Sequence, residues 1–200
     1  MPIVNTDVPI TAASCERMIR EIAEKYPFCR TETIGTTAFQ RPISALVIGT
    51  GPRKVLFTAA HHANEWITAL VLLKYAEDLA EAIQSEGILF GQRAKELAEA
   101  VTVYLIPMVN PDGVDLVTGA MEDAAILREA AALAAAYPAI PFPAGWKANI
   151  RGVDLNLQYP AAWEEARAIK FAQGYTQPGP RDFVGEAPLS APESRALYHH

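Results

Sequence analysis

His62-Ala63-Asn64-Glu65 sets an imidazole and a carboxylate three residues apart, directly after the apolar run Lys54 to Ala60 (KVLFTAA). Where a strand yields to a helix, that spacing can aim a ring nitrogen and a carboxylate oxygen at one point. Such donors suit a zinc ion. The spacing alone is weak, because a surface histidine and a glutamate favoured by the dipole at a helix start produce the same pattern. Two other segments hold residues able to do chemistry. Trp146 to Asn156 (WKANIRGVDLN) contains Asn149, Arg151 and Asn156, and Asn110-Pro111-Asp112-Gly113 has the composition of a tight turn. In the latter the physics is mainly structural: Pro fixes φ, Asp can bond back to the backbone and Gly admits positive φ.

Chemistry at these points requires elements that hold them. From Thr11, apolar residues at Cys15, Met18, Ile19, Ile22, Ala23 and Tyr26 recur at helical spacing, with Thr11 a candidate N-cap and Pro27 beyond the end. Extended runs around Arg30 to Ile34 and Ile43 to Gly49 suit an antiparallel pair. Lys54 to Ala60 reads as a strand buried on both faces, Glu65 to Ile83 as a helix whose apolar first half must be covered, and Val101 to Val109 as a second buried strand. Weaker helical patterns span Arg93 to Ala100 and Met121 to Ala136, and from Pro160 onward the composition indicates a long ordered surface loop. Alternating strands and helices imply an α/β sheet with a right-handed parallel crossover, whose sites gather at the C-terminal strand ends. Both His61 to Glu65 and Asn110 to Gly113 lie there.

Bulk properties narrow the class. Half of the 200 residues are hydrophobic, enough for one sizeable core. A formal charge of -6 and a pI of 5.2 lack the basic bias of a nucleic-acid binder. Cys15 and Cys29 are too few for a disulfide framework and read as buried or idle thiols. No basic-then-apolar leader opens the chain, and Lys74, Glu77 and Asp78 interrupt the helix around Leu70. A cytoplasmic protein without a membrane span is the expectation.

In order along the chain, Thr58 to Thr68 (TAAHHANEWIT), Asn110 to Gly113 and Trp146 to Asn156 resemble three segments of the zinc metallocarboxypeptidases. The resemblance implies an α/β fold with a mixed, mostly parallel central sheet flanked by helices, with residues 1–200 forming the N-terminal portion of a single peptidase domain. It makes His62 and Glu65 ligands of one zinc ion and His61 only their neighbour. Asn156 becomes a substrate-binding residue. Arg151, the arginine of its segment, becomes the oxyanion-stabilising cation; strict counting from the carboxypeptidase motif instead reaches Asn149, retained as a substrate-binding candidate. The third zinc ligand, a histidine, and the general base are expected beyond residue 200, since His199 and His200 are wrongly placed on or past a helix. Glu164 and Glu165 read as a solvated helix face. A chain with two ligands should bind zinc weakly, turn over negligibly and expose an apolar sheet edge.

One departure bears on specificity. Leu157 follows Asn156, where carboxypeptidases that clamp a free C-terminal carboxylate carry an arginine, and an aliphatic side chain cannot substitute for a bidentate guanidinium. That loss, with WKANIRGVDLN and Gly179 to Glu193 (GPRDFVGEAPLSAPE), resembles the bacterial γ-D-glutamyl-meso-diaminopimelate peptidases, so the implied partner is a muropeptide. The competing readings are a conventional metallocarboxypeptidase, a zinc acylase of acyl amino acids and a non-catalytic binder of peptidoglycan peptides.

Overall fold

A computed structural model of the protein describes residues 2–200. The first helix, α1 (Ala12–Lys25), begins where Thr11 and Ser14 cap each other: Thr11 Oγ1 accepts from Ser14 N at 3.1 Å and Ser14 Oγ accepts from Thr11 N at 2.9 Å. Strands β1 (Arg30–Thr36) and β2 (Pro42–Ile48) then form the expected antiparallel pair. β3 (Arg53–Thr58) leads through a short 3-10 helix, Ala63–Glu65, into α2 (Ile67–Gln84). A small hairpin, β4 (Ile88–Leu89) with β5 (Gln92–Arg93), precedes α3 (Ala94–Ala100) and β6 (Val101–Ile106). The rest comprises α4 (Pro111–Thr118), α5 (Ala124–Ala135), α6 (Trp163–Ala172) and α7 (Pro192–His199), joined by ordered loops.

The sheet runs β1-β2-β6-β3. Its parallel character is confined to β3 against β6; β1 with β2 and β2 with β6 are antiparallel. Alternation along β2 and β6 divides the core. Leu46, Ile48, Val103 and Leu105 pack under α1 and α2 with Ile19, Ile22, Leu70 and Leu73, while Ile43, Ala45 and Ile106 face Leu155 and Ala191 beneath α7. Each of the valine, leucine and isoleucine side chains so removed from water contributes roughly 1.5–3 kcal/mol. Helices therefore flank a mixed sheet.

Three expectations need correction. β3 is not buried on both faces: it lies at the sheet edge, with Leu56 and Phe57 exposed at 47% and 44%. For the same reason the first half of α2 is only half covered, and Ile67 and Val71 face solvent beside that edge. The Asn110 quartet is not an isolated turn but the start of α4, with Pro111 at a first-turn position where its missing N–H costs nothing. Asp112 does not bond back to the backbone there; it is buried, with Arg41 Nε 3.1 Å from its Oδ1. Cys15 and Cys29 are buried free thiols as expected, and burial pushes Cys29 up to about 12. No helix among the described residues is long and apolar enough to cross a membrane.

Candidate metal centre

The parallel strands β3 and β6 end side by side, and both chains turn there. Ala60 adopts φ 46°, a left-handed conformation that a non-glycine residue rarely holds and that costs about 1–3 kcal/mol. Its neighbours fix it: Ala60 N donates to Thr68 Oγ1 at 2.9 Å, and Ala60 O accepts from Asn110 N at 3.1 Å. This turn throws His61 and His62 off the end of β3, and the 3-10 helix brings Glu65 back beside His62.

Asn110 secures the turn from the other strand. Its Oδ1 caps α4 through Gly113 N at 3.1 Å, while its Nδ2 donates to His61 O at 3.2 Å and Ala148 O at 2.9 Å. Position 113 must be glycine, because a Cβ there would sit 2.6 Å from Asn110 Oδ1. The quartet is thus scaffolding that joins the His62 turn to the segment around Lys147.

His62 Nδ1 and Glu65 Oε1 stand 3.1 Å apart. Two donors bound at zinc–ligand distances on a tetrahedral ion are separated by about 3.4 Å, so the pair fits two corners of a zinc site. The other ring nitrogen, Nε2, lies 3.1 Å from Asp154 Oδ1, and Asp154 is almost wholly buried. With its proton directed at Asp154, His62 presents the Nδ1 lone pair beside Glu65. The Asp154 hydrogen bond, with Glu65 adding to it, raises the pKa of His62 above its ordinary value. Asp154 is itself fixed: Oδ1 also accepts from Asn156 N at 3.2 Å and Oδ2 from Asp182 N at 3.1 Å. Among the described residues no group of three or more His, Cys, Asp or Glu side chains could hold a metal ion.

His61 turns the other way. Its Nε2 lies 3.1 Å from Tyr159 Oη, and burial, helped by the neighbouring His62, lowers its pKa to about 4. It is therefore a neutral packing residue at ordinary pH.

The remaining expected residues separate. Asn156 is exposed, and its N–H donates to Asp154 Oδ1, the oxygen that also meets His62. The Arg151 guanidinium sits 4.8 Å above the Phe39 ring and 3.4 Å from Glu129 of α5, and makes no ion pair with Glu65 or Asp154. Asn149 is buried as a loop brace, donating from Nδ2 to Glu193 at 3.0 Å and accepting at Oδ1 from Arg151 N and Val153 N. Neither side chain hydrogen-bonds to His62 or Glu65. Sequence reasoning overlooked Asp154 and Lys147. Lys147 Nζ lies 3.6 Å from Glu65 Oε1. The available signal for Asp154 was an acid inside the otherwise apolar run Gly152 to Leu155.

Comparison with known proteins places this arrangement. The zinc carboxypeptidase family model matches residues 15–200. The chain is 38% identical over 179 residues to gamma-D-glutamyl-L-diamino acid endopeptidase 1 of Lysinibacillus sphaericus, covering 90% of this chain and 44% of that protein. It is also 38% identical over 188 residues to the protein YqgT of Bacillus subtilis (strain 168), covering 93% of this chain and 48% of that one. The chain therefore spans a little under half the length of these curated relatives. Among solved structures, the carboxypeptidase A of Helicoverpa armigera shares its fold with a TM-score of 0.69 at 19% identity, over 98% of this chain and 42% of that chain. By family match, identity and fold, the chain belongs to the zinc carboxypeptidase family of metallopeptidases.

Proposed function

We propose that the protein is a zinc peptidase that hydrolyses γ-D-glutamyl-diamino acid bonds in the stem peptides of peptidoglycan. The carrying observation is Leu157. It follows Asn156, whose backbone is tied to Asp154, so an aliphatic side chain occupies the chain position next to the proposed substrate-binding asparagine. A peptide's terminal carboxylate finds no guanidinium from that residue. The relative from Lysinibacillus sphaericus, which bears the name of a γ-D-glutamyl-L-diamino acid endopeptidase, supports the same substrate class.

In this reading His62 and Glu65 hold one zinc ion, with a third ligand contributed beyond residue 200, and residues 1–200 are the N-terminal portion of one peptidase domain. When bound, zinc supplies the Lewis acidity that makes water nucleophilic near neutral pH. Asp154 keeps the His62 ring in the orientation and tautomer that leave Nδ1 available. Asn156 orients the peptide through its exposed amide. The strained Ala60 turn and the Asn110 clamp hold these groups in register.

The test gives the intact zinc-loaded protein two substrates: L-Ala-γ-D-Glu-meso-diaminopimelate, and a peptide with an ordinary free C-terminal residue. Release of diaminopimelate with little release of the C-terminal amino acid supports the reading. The reverse preference would assign a conventional carboxypeptidase, and binding of the stem peptide without turnover would assign a non-catalytic receptor.

A further inference from the structure

We infer that the cleft between α1, α4 and the start of β2 is a second binding site, which takes a small aliphatic primary amine and holds its ammonium group on Glu16. The cleft has a volume of about 380 Å³, within the range of small-molecule pockets. It is separate from the proposed metal centre. None of His62, Glu65 or Asn156 lines it, and α4 lies against both the Ala63–Glu65 helix and α1. The inference therefore stands apart from the peptidase reading.

The walls are mostly apolar. Cys15, Met108, Pro111 and Ala120 line the cleft, and burial, helped by Glu16, raises the Cys15 thiol so that it stays neutral. Three charged side chains complete the lining: Glu16, Arg41 and Asp115. Two of these are already committed. Arg41 places Nε 3.1 Å from Asp112 Oδ1 and bonds through Nη1 to Asp115 Oδ2, while Asp115 Oδ1 accepts from Ala12 N at 2.7 Å.

Glu16 is the uncommitted group. Its Oε2 accepts from Ser44 Oγ at 2.9 Å, but among the described residues it forms no ion pair, and the adjacent Arg17 pairs with Glu21 instead. Burial raises the Glu16 carboxyl above its ordinary 4.5 despite the Ser44 bond and the field of Arg20. A partly desolvated carboxylate without a counter-ion is stabilised by any cation that can reach it. Two aspartates around one guanidinium already leave the cleft with a negative balance, so the site selects a cation over an anion. Its hydrocarbon and sulfur walls select an organic one: among the described residues no group of three or more His, Cys, Asp or Glu could hold a metal ion. An ammonium on a short alkyl stem satisfies both conditions, with three donors for Glu16 and water.

The experiment titrates n-butylamine hydrochloride into the intact protein carrying methyl-labelled methionine and follows the Met108 methyl resonance, assigned through Met108→Leu. Met108 lines the cleft and is buried, so its signal reports occupancy there. A saturable shift is expected, with a Kd at least tenfold lower than for 1-butanol or sodium butyrate. Equal concentrations of sodium chloride should leave the resonance in place. Glu16→Gln keeps an acceptor for Ser44 and removes the charge; it should raise Kd about 10–100-fold, the worth of a hydrogen bond to a charged group. Ala13→Leu, at an exposed position of α1 that lines the cleft, narrows it without changing charge and should also weaken binding at least tenfold.

Absence of a saturable Met108 shift would overturn the inference. So would equal binding of 1-butanol, which would make the cleft merely apolar, or an equal shift with sodium chloride, which would make the effect one of ionic strength. Should Glu16→Gln not fold, Ala13→Leu decides, and unchanged binding in that variant sinks the assignment. Cleavage of γ-D-glutamyl substrates does not involve this cleft, so either reading can fail without the other.

Discussion

Asp154 holds His62 by its far ring nitrogen: Oδ1 lies 3.1 Å from Nε2, across 92 residues of sequence. This contact decides which face of the imidazole is available for chemistry. The near nitrogen, Nδ1, is left beside Glu65, and the second Asp154 oxygen is anchored by Asp182 N. Asp182 can supply that N–H because its backbone takes φ 65°, a left-handed turn held by its side-chain bonds to Lys170 and Arg181. The brace behind the proposed ligand is thus two residues deep.

Replacing Asp154 by Asn should weaken zinc binding by about 10–100-fold, the usual effect of losing a carboxylate behind a ligating histidine. Shape is conserved, so far-ultraviolet circular dichroism should not change. Competition with a chromophoric chelator measures the affinity. A value within twofold of the parent would show that His62 orients itself without help.

Asn110→Ala removes the α4 cap and leaves the Ala148 carbonyl, buried in the loop, without its donor. A lost cap and one buried unsatisfied acceptor together should cost about 2–4 kcal/mol. Urea unfolding followed by tryptophan fluorescence reads this directly. A cost below 0.5 kcal/mol, on the order of an ordinary surface change, would mean that the clamp is redundant.

Glu193 should make stability fall as pH rises. Burial, the largest influence, lifts its carboxyl above the ordinary 4.5 despite the bonds from Asn149 and Ala38. The native state therefore keeps this proton in a pH range where the unfolded chain has released it. The group's contribution is fully present below the ordinary value and is lost as pH rises through the raised native value. Measured as the stability of the parent minus that of Glu193→Gln, the difference should decline from pH 4.5 upward. A flat or rising difference refutes the assignment.

The open edge at β3 should drive self-association of the 200-residue chain. Leu56, Phe57 and Val71 are exposed at 47%, 44% and 65% beside a strand with one partner. Unpaired apolar edges recruit further strands. Sedimentation velocity should show oligomers that diminish in a Leu56→Lys, Val71→Lys double variant. A monodisperse monomer for the parent would count against this.

By itself the sequence determined what is local. Cap residues and apolar spacing located α1 to within a residue, two extended runs located the antiparallel β1–β2 pair, and the three-residue spacing of His62 and Glu65 marked the two side chains whose donor atoms stand together. Such features depend on neighbours within a turn or two. Only the tertiary structure decided which residues from Trp146 to Asn156 reach that pair. Asn149, Arg151 and Lys147 are close in sequence, yet Glu193 takes the first, Glu129 and Phe39 the second, and only the third turns toward Glu65. Exposure of β3 was equally undecided, because an apolar run reads as buried whether or not a neighbouring strand covers it. Side-chain direction in a loop is set by partners remote in sequence, so where Asn149 and Arg151 point belonged to packing.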